Sequence, residues 1–73
     1  MDRDELTAAV YVFVCDYIKA NGYAPSLREI SQATYMSPTN VVRYLDRLSA
    51  QGRLMREPNV PRSIVVLDED DYG

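Results

Sequence analysis

Two helix starts stand close together in the stretch SLREISQATYMSP, which occupies positions 26–38. Ser26 and Glu29 form a capping-box pattern, in which the side chain of each residue bonds the backbone N–H of the other. Ser37 and Pro38 form a second start, because serine caps a helix and proline suits its first position, where the N–H has no partner. The stretch therefore predicts three elements: a helix over 27–34, a turn over 34–36, and a helix over 38–51 that ends at Gly52.

The apolar residues of both helices fall on one face, at three- and four-residue spacing. They are Leu27, Ile30 and Ala33 in the shorter helix, and Val41, Leu45 and Leu48 in the longer one. With about 100° per residue, the opposite face of the longer helix carries Thr39, Asn40, Arg43, Arg47 and Ala50. The longer helix is thus expected to pack with one side and to present a polar side to solvent.

The segment before this pair predicts a further helix over 6–21, which Gly22 ends. Thr7 is its expected N-cap, with Leu6 packed on Tyr11 as a hydrophobic staple. A strand is the competing interpretation because β-branched residues are frequent, but strands rarely exceed ten residues. The expected inward face is apolar and consists of Leu6, Val10, Phe13, Val14 and Tyr17.

Two short segments that follow the helices, 53–56 and 63–67, are predicted to be strands, and a loop over 57–62 with two prolines separates them. Two strands joined by such a loop predict an antiparallel hairpin. Three helices followed by a two-stranded β-hairpin wing make a winged helix-turn-helix, an α+β fold that is mainly α. We expect this domain to span 1–67 and an acidic tail to follow over 68–73, either solvated or folded over the arginine-rich face.

The composition excludes several kinds of protein. The chain has 73 residues with one Cys and no His, which rules out a disulfide framework, a Cys/His zinc site and a His-dependent catalytic centre. Its longest apolar run, 8–15, is too short to span a bilayer, which needs about 20 residues. We therefore expect no enzyme activity, no cofactor, no metal and no membrane contact, and a cytoplasmic location.

The net charge of −3 and the isoelectric point near 4.7 argue at first sight against nucleic acid. The acidic residues, however, are concentrated at the two ends of the chain. Residues 6–67 contain seven basic and four acidic side chains, a net charge of +3, and six of the seven basic ones are Arg. Arginine suits bidentate recognition of phosphate and guanine, so the body of the domain is compatible with DNA.

A helix-turn-helix places the N-terminal residues of its second helix in the major groove of double-stranded DNA. Here Arg43 suits guanine, Asn40 suits adenine, and Thr39 suits the methyl group of thymine. Phosphate contacts are expected from helix N-termini and from cationic or polar residues on the helices and the wing. The predicted phosphate-binding residues are Arg28, Ser37, Arg47, Arg56, Asn59 and Arg62.

Three stretches of the chain resemble the DNA-binding domain of LexA-type repressors. They are GYAPSLREI at 22–30, SP at 37–38 with the apolar positions that follow it, and PRSI at 61–64. The resemblance implies a sequence-specific, double-stranded DNA-binding transcriptional regulator, a repressor, whose helix over 38–51 enters the major groove. It also implies that Thr39, Val42 and Arg43 occupy base-reading positions, with Asn40 beside them.

Among the departures of the chain from that family, two bear directly on the turn and on the function. Tyr35 stands where the turn of the family usually has glycine, so the residue is expected to be strained if its φ angle is positive. LexA repressors continue into a self-cleaving domain with a Ser-Lys dyad, which also dimerises them. These 73 residues have no counterpart of that domain, so we expect no self-cleavage.

One face of the first helix is apolar although it points away from the expected core. It carries Ala8, Val12 and Cys15, beside Lys19. Surface helices normally fill such a face with polar residues, so an apolar patch suggests a partner. We expect a homodimer through this helix, because operator readers commonly pair half-sites about one DNA turn apart.

Alternatives remain open for the function and for single residues. A winged helix can act as a protein–protein interaction module with no DNA readout, which the negative net charge would favour. Arg43 and Arg47 could form a solvated helix face, and Arg62 could pair with an acidic neighbour. Tyr44 lies on the flank of the apolar stripe, where packing is favoured over a base contact.

Overall fold

The second and third helices form where the capping signals predict them. The computed structural model describes residues 2–67 and contains α1 (Arg3–Asn21), α2 (Leu27–Thr34) and α3 (Pro38–Ala50). The Glu29 N–H donates to Ser26 Oγ at 3.2 Å and the Ser26 N–H donates to Glu29 Oε1 at 2.8 Å, so the capping box is complete. At the start of α3 the Asn40 N–H donates to Ser37 Oγ at 3.2 Å, with proline in the first turn. Both starts confirm the predictions.

Two strands complete the fold, β1 (Leu54–Met55) and β2 (Val65–Val66). They pair antiparallel, with Leu54 opposite Val66, and they are shorter than the predicted runs. The Leu67 N–H donates to the Arg53 carbonyl at 2.9 Å, which extends the pairing by one residue of each strand. The predicted winged helix-turn-helix is therefore confirmed. The acidic tail predicted over 68–73 lies outside the described residues.

All three helices and β1 contribute fully buried side chains to a single apolar core. These side chains include Val10, Val14, Ile30, Val41, Leu45, Leu48 and Leu54. The whole predicted stripe of α3 is among them, which leaves the opposite face of that helix at the surface. No helix within residues 2–67 is long and apolar enough to cross a membrane.

The first helix begins earlier than predicted. Asp2 is its N-cap and accepts the Glu5 N–H at 2.9 Å. Thr7, the predicted cap, lies inside the helix, is 5% exposed and donates to the Arg3 carbonyl at 2.7 Å. The predicted cap was wrong, and the staple built on it does not apply. Aspartate is the better N-cap, and the acidic residues that follow it are favoured by the positive end of the helix dipole.

The short helix α2 contributes less to the core than predicted. Ile30 is fully buried and Leu27 is half-buried, but Ala33 is exposed. Ala33 was wrongly predicted to be buried: it lines an open groove between α1 and α2. Eight residues give two turns of helix, and only one of those turns reaches the centre of the core.

The turn between α2 and α3 is closed by Ser31. The Ser31 carbonyl accepts the Met36 N–H at 3.2 Å as well as the Tyr35 N–H, and the Ser31 hydroxyl donates to the Met36 carbonyl. Tyr35 has φ 59° and ψ 29°, a left-handed conformation that costs about 1–2 kcal/mol in a residue other than glycine. Its side chain is 96% exposed, so side-chain packing does not offset that strain. The sequence predicts strain at Tyr35 on the condition that its φ angle is positive, and the structure meets that condition.

Candidate nucleic-acid interface

The outward face of α3 presents three exposed polar side chains near the start of the helix: Thr39, Asn40 and Arg43. None of these side chains forms a hydrogen bond or an ion pair within residues 2–67. Val42 lies at the edge of this face and is half-buried. Because the other face of α3 is fixed in the core, the free donors and acceptors are held on a rigid helix of the size that the major groove admits.

The starts of α2 and α3 carry two more of the predicted contacts. Arg28 is exposed in the first turn of α2 and makes no side-chain hydrogen bond within residues 2–67. Ser37 is exposed at the N-cap of α3, where its hydroxyl oxygen accepts the Asn40 N–H and the hydroxyl hydrogen remains available. Helix N-termini favour anions through their free N–H groups and the helix dipole.

Two predicted phosphate ligands, Arg47 and Arg56, are each paired with an aspartate in the structure. Arg47 Nη2 lies 3.2 Å from Asp4 Oδ1, and Arg56 Nη2 lies 3.5 Å from Asp46 Oδ1. The Arg56 side chain is only 14% exposed. The Nε atoms of both arginines are buried without a hydrogen-bond partner within the described residues. Their phosphate contacts stay predictions, and each requires the aspartate to be displaced or shared.

The wing presents Asn59 at an exposed turn with φ 68°, but Arg62 points back to the helices. Arg62 Nη1 lies 2.9 Å from Glu29 Oε1 and donates to Tyr17 Oη at 3.2 Å and to the Ala24 carbonyl at 3.0 Å. This geometry bears out the alternative in which Arg62 pairs with an acidic neighbour. The contact of Arg62 with phosphate stays a prediction.

The electrostatics of this contact hold the wing against α1 and α2. The Ser26 N–H and the Arg62 guanidinium, in that order of importance, lower the pKa of Glu29 to about 2. Hydrogen bonding to Glu29 in turn raises the pKa of Arg62. Tyr17 also donates to Glu29 Oε2, at 3.0 Å. The carboxylate and the guanidinium therefore both stay charged near neutral pH, and the wing is tied to α2.

We predict that part of the stability of the domain is lost between about pH 4.5 and about pH 2. Because the folded state lowers the pKa of Glu29 from 4.5 to about 2, its contribution is complete above that interval and disappears as acid protonates the carboxylate. Glu29→Gln should be less stable than the parent at pH 7, and the two melting temperatures should converge towards pH 2. Thermal unfolding followed by circular dichroism across this range measures the difference.

The matched control for this experiment is Glu57→Gln, which removes an exposed carboxylate in the wing loop. Its difference from the parent should stay nearly constant over the same pH range. A constant difference for Glu29→Gln as well would contradict the assigned role of the Glu29–Arg62 pair.

Two surface residues at the start of α1, Arg3 and Asp4, were not among the predicted site residues. Arg3 and Asp4 lie beside the outward face of α3, because α1 begins three residues earlier than predicted. The spacing of Asp2 and Glu5, a second capping-box pattern, is the signal that indicates this start. Tyr44 is half-buried against the core, in agreement with its predicted packing role.

A short helix, a tight turn, a second helix with a free polar face and a β-hairpin together define a winged helix-turn-helix domain of the kind that reads DNA. Residues 5–63 match the family described as LexA DNA binding domain. The chain belongs to this family, as its resemblance predicted.

Proteins named LexA repressor match most of the chain. It is 38% identical over 65 residues to the one from Bacillus pumilus, a match that covers 88% of this chain and 32% of that protein. It is 41% identical over 61 residues to the LexA repressor of Caldicellulosiruptor saccharolyticus, a match that covers 82% of this chain and 30% of that protein. It is 38% identical over 69 residues to the LexA repressor of Clostridium tetani, a match that covers 93% of this chain and 34% of that protein. The chain thus spans about a third of the length of these curated relatives, and none of the matches favours a purely protein-binding module.

Proposed function

We propose that this domain binds double-stranded DNA in a sequence-specific manner, with α3 in the major groove, and that it serves a transcriptional repressor. The observation that carries the proposal is the division of α3 into two faces. Val41, Leu45 and Leu48 are fully buried, whereas the polar residues at the start of the opposite face are exposed and have no partner within residues 2–67. The membership in the LexA DNA-binding family supports the same function.

Base reading is assigned to the exposed residues of α3. Arg43 would contact guanine O6 and N7, Asn40 would contact adenine N6 and N7, and Thr39 would lie against a thymine methyl group. Val42 would add an apolar contact with the part of its side chain that is exposed. The first turns of α2 and α3 would bind phosphates of the DNA backbone on either side of the groove, through Arg28 and Ser37.

The wing would meet the DNA backbone with Asn59, in an orientation that the Arg62–Glu29 pair maintains. Arg62 itself would then position the wing, and its direct phosphate contact is a secondary assignment. Since residues 6–67 carry a net charge of only +3, non-specific affinity should be low and should fall further with salt.

The decisive experiment is selection of bound sites from a random duplex library. The recovered sites are then compared with random duplex by fluorescence anisotropy at several salt concentrations. We expect a defined sequence motif and an affinity for it that exceeds the random affinity by at least about 10³-fold. Recovery of no motif, together with no salt-dependent binding at tens of micromolar, would overturn the proposal in favour of a protein-binding module.

The repressor role comes from the relatives, whose names describe repressors about three times as long as this chain. The proposal for the present domain covers DNA binding in the cytoplasm and includes no catalytic step. Reporter transcription from a promoter that contains the selected site tests repression directly.

We also infer that two copies of the domain associate through α1. Of the three predicted dimer-face residues, Ala8 and Val12 are exposed, the latter by 55%, whereas Cys15 is half-buried against the core. Val12 also borders the groove between α1 and α2, whose lining includes Ala9, Phe13 and Met36 in addition. A second copy could therefore cover Val12 and part of this groove.

We predict that Val12→Glu abolishes this association, because it would bury a carboxylate at the centre of the contact. Sedimentation equilibrium over about a hundredfold range of concentration should show a monomer–dimer equilibrium for the parent and a monomer for the variant. Val60→Glu alters a similarly exposed valine, 49% exposed in the wing loop, and should leave the equilibrium unchanged. A parent chain that remains monomeric at the highest concentration would contradict the inference.

A further inference from the structure

A cleft separates the first turn of α1 from the outward flank of α3. It is lined by Arg3, Asn40, Arg43, Tyr44 and Arg47. Three of these five side chains are guanidinium groups, each with five N–H donors. The cleft adjoins the residues assigned to base reading, because Asn40 and Arg43 belong to both.

The cleft contains far more donors than acceptors. Arg3 and Arg43 are exposed and form no side-chain hydrogen bond or ion pair within residues 2–67. Within residues 2–67, Asp4 is the one carboxylate paired with a cleft arginine, and its Oδ1 lies 3.2 Å from Arg47 Nη2. The Nε of Arg47 is buried and has no hydrogen-bond partner among the described residues. Asp4 itself is 86% exposed, so it covers the edge of the cleft without filling it.

We propose that this cleft binds a phosphate of the DNA backbone through Arg3 and Arg47, and that Asp4 competes with this phosphate for Arg47. The proposal rests on the function proposed above. A helix whose exposed side chains read bases on the floor of the groove brings its flanks against the backbone at the edges of the groove. The guanidinium fork matches the oxygens of a phosphate as well as those of a carboxylate, so the two anions are alternative occupants of one position.

The ion pair between Asp4 and Arg47 should be weak enough for a phosphate of the DNA backbone to displace Asp4. An exposed ion pair such as Asp4–Arg47 corresponds to no more than about a fivefold factor in an equilibrium constant. A phosphate that replaces the carboxylate also releases counterions from the DNA, a gain that Asp4 does not offer. Asp4 would therefore lower the affinity of the domain for any duplex by a small factor, independent of sequence.

Anisotropy titrations of the chain over residues 1–73, with selected and with random duplex, test this competition. We expect Asp4→Asn to tighten binding to both duplexes about two- to fivefold more than Asp16→Asn does. Asp16→Asn is the matched control, since it removes an exposed aspartate of the same helix and changes the net charge equally, but lies on the groove between α1 and α2. Arg3→Gln should weaken binding to both duplexes by the same factor and reduce the slope of log affinity against log salt concentration by about one.

A double-mutant cycle with Arg47→Gln separates competition from a general charge effect. In that background Asp4→Asn should tighten binding no more than Asp16→Asn, because the shared ligand is gone. Equal effects of Asp4→Asn and Asp16→Asn in the parent chain, or an undiminished excess in the Arg47→Gln background, would overturn the inference and leave the proposed function intact. Absence of any salt-dependent duplex binding by the parent would overturn both. Thermal unfolding of each variant verifies that the titrations compare folded proteins.

Discussion

Replacing Leu45 by alanine should lower the free energy of unfolding by about 2–5 kcal/mol. Leu45 is fully buried in the middle of α3, with Val41 and Leu48 on the same stripe. A domain of this size rarely gains more than about 3–5 kcal/mol from its core, so the loss is comparable with the whole stability. Leu45→Ala is therefore expected to be largely unfolded at 37 °C, and urea denaturation followed by circular dichroism measures the change.

Two control substitutions separate a core effect from a helix effect. Leu45→Met keeps most of the buried volume and should cost less than about 1.5 kcal/mol. Thr39→Ala changes the exposed face of the same helix and should stay within about 0.5 kcal/mol of the parent. Equal losses for Leu45→Ala and Thr39→Ala would show that α3 does not divide into a buried and an exposed face, and would remove the basis of the proposed interface.

Helices α2 and α3 were predictable because their signals are local. A capping box, a proline at the first helical position and an apolar stripe all act within four residues along the chain. The structure places both helices within one residue of the predicted bounds, with the stripe of α3 buried in full. The sequence predicts strain at Tyr35 only on the condition of a positive φ, and it is the backbone of the turn, with φ 59°, that meets this condition.

The start of α1 was missed because two capping patterns compete there. Thr7 before an apolar run fits an N-cap, but Asp2 with Glu5 fits equally well and adds a whole turn of helix. The wrong prediction that Ala33 is buried has a different origin. Periodicity indicates which face of a helix is apolar, but not how far along the helix its neighbours extend.

The pairing of the arginines could not be read from the sequence. Arg62 meets Glu29 across 33 positions and Tyr17 across 45, and Arg47 meets Asp4 across 43. Such contacts arise only when the wing and the start of α1 have been placed against the helices. Sequence patterns therefore identified which residues were cationic, while the fold decided which of them are exposed and unpaired. Arg28 and Arg43 are exposed and have no side-chain partner within residues 2–67.

Replacing Arg43 by alanine should weaken binding to the selected duplex by about 1–3 kcal/mol, or roughly 5- to 150-fold. Arg43 is exposed on the outward face of α3 and has no partner within the described residues, so the whole guanidinium is available to a guanine. Its loss should remove the preference at one base pair of the motif and leave the others unchanged. Anisotropy titrations with the selected site and with each single-base variant at that pair measure both effects.

Arg28→Ala is the matched control, because Arg28 is also exposed and unpaired within residues 2–67 but lies at the start of α2. As a phosphate contact it should weaken selected and random duplex by the same factor and reduce the salt slope by about one. Arg43→Ala should instead weaken the selected site far more than random duplex, since a base contact is made only in the specific complex. If both substitutions lowered the two affinities in parallel, Arg43 would be a phosphate ligand, and base reading would have to lie with Asn40 and Thr39.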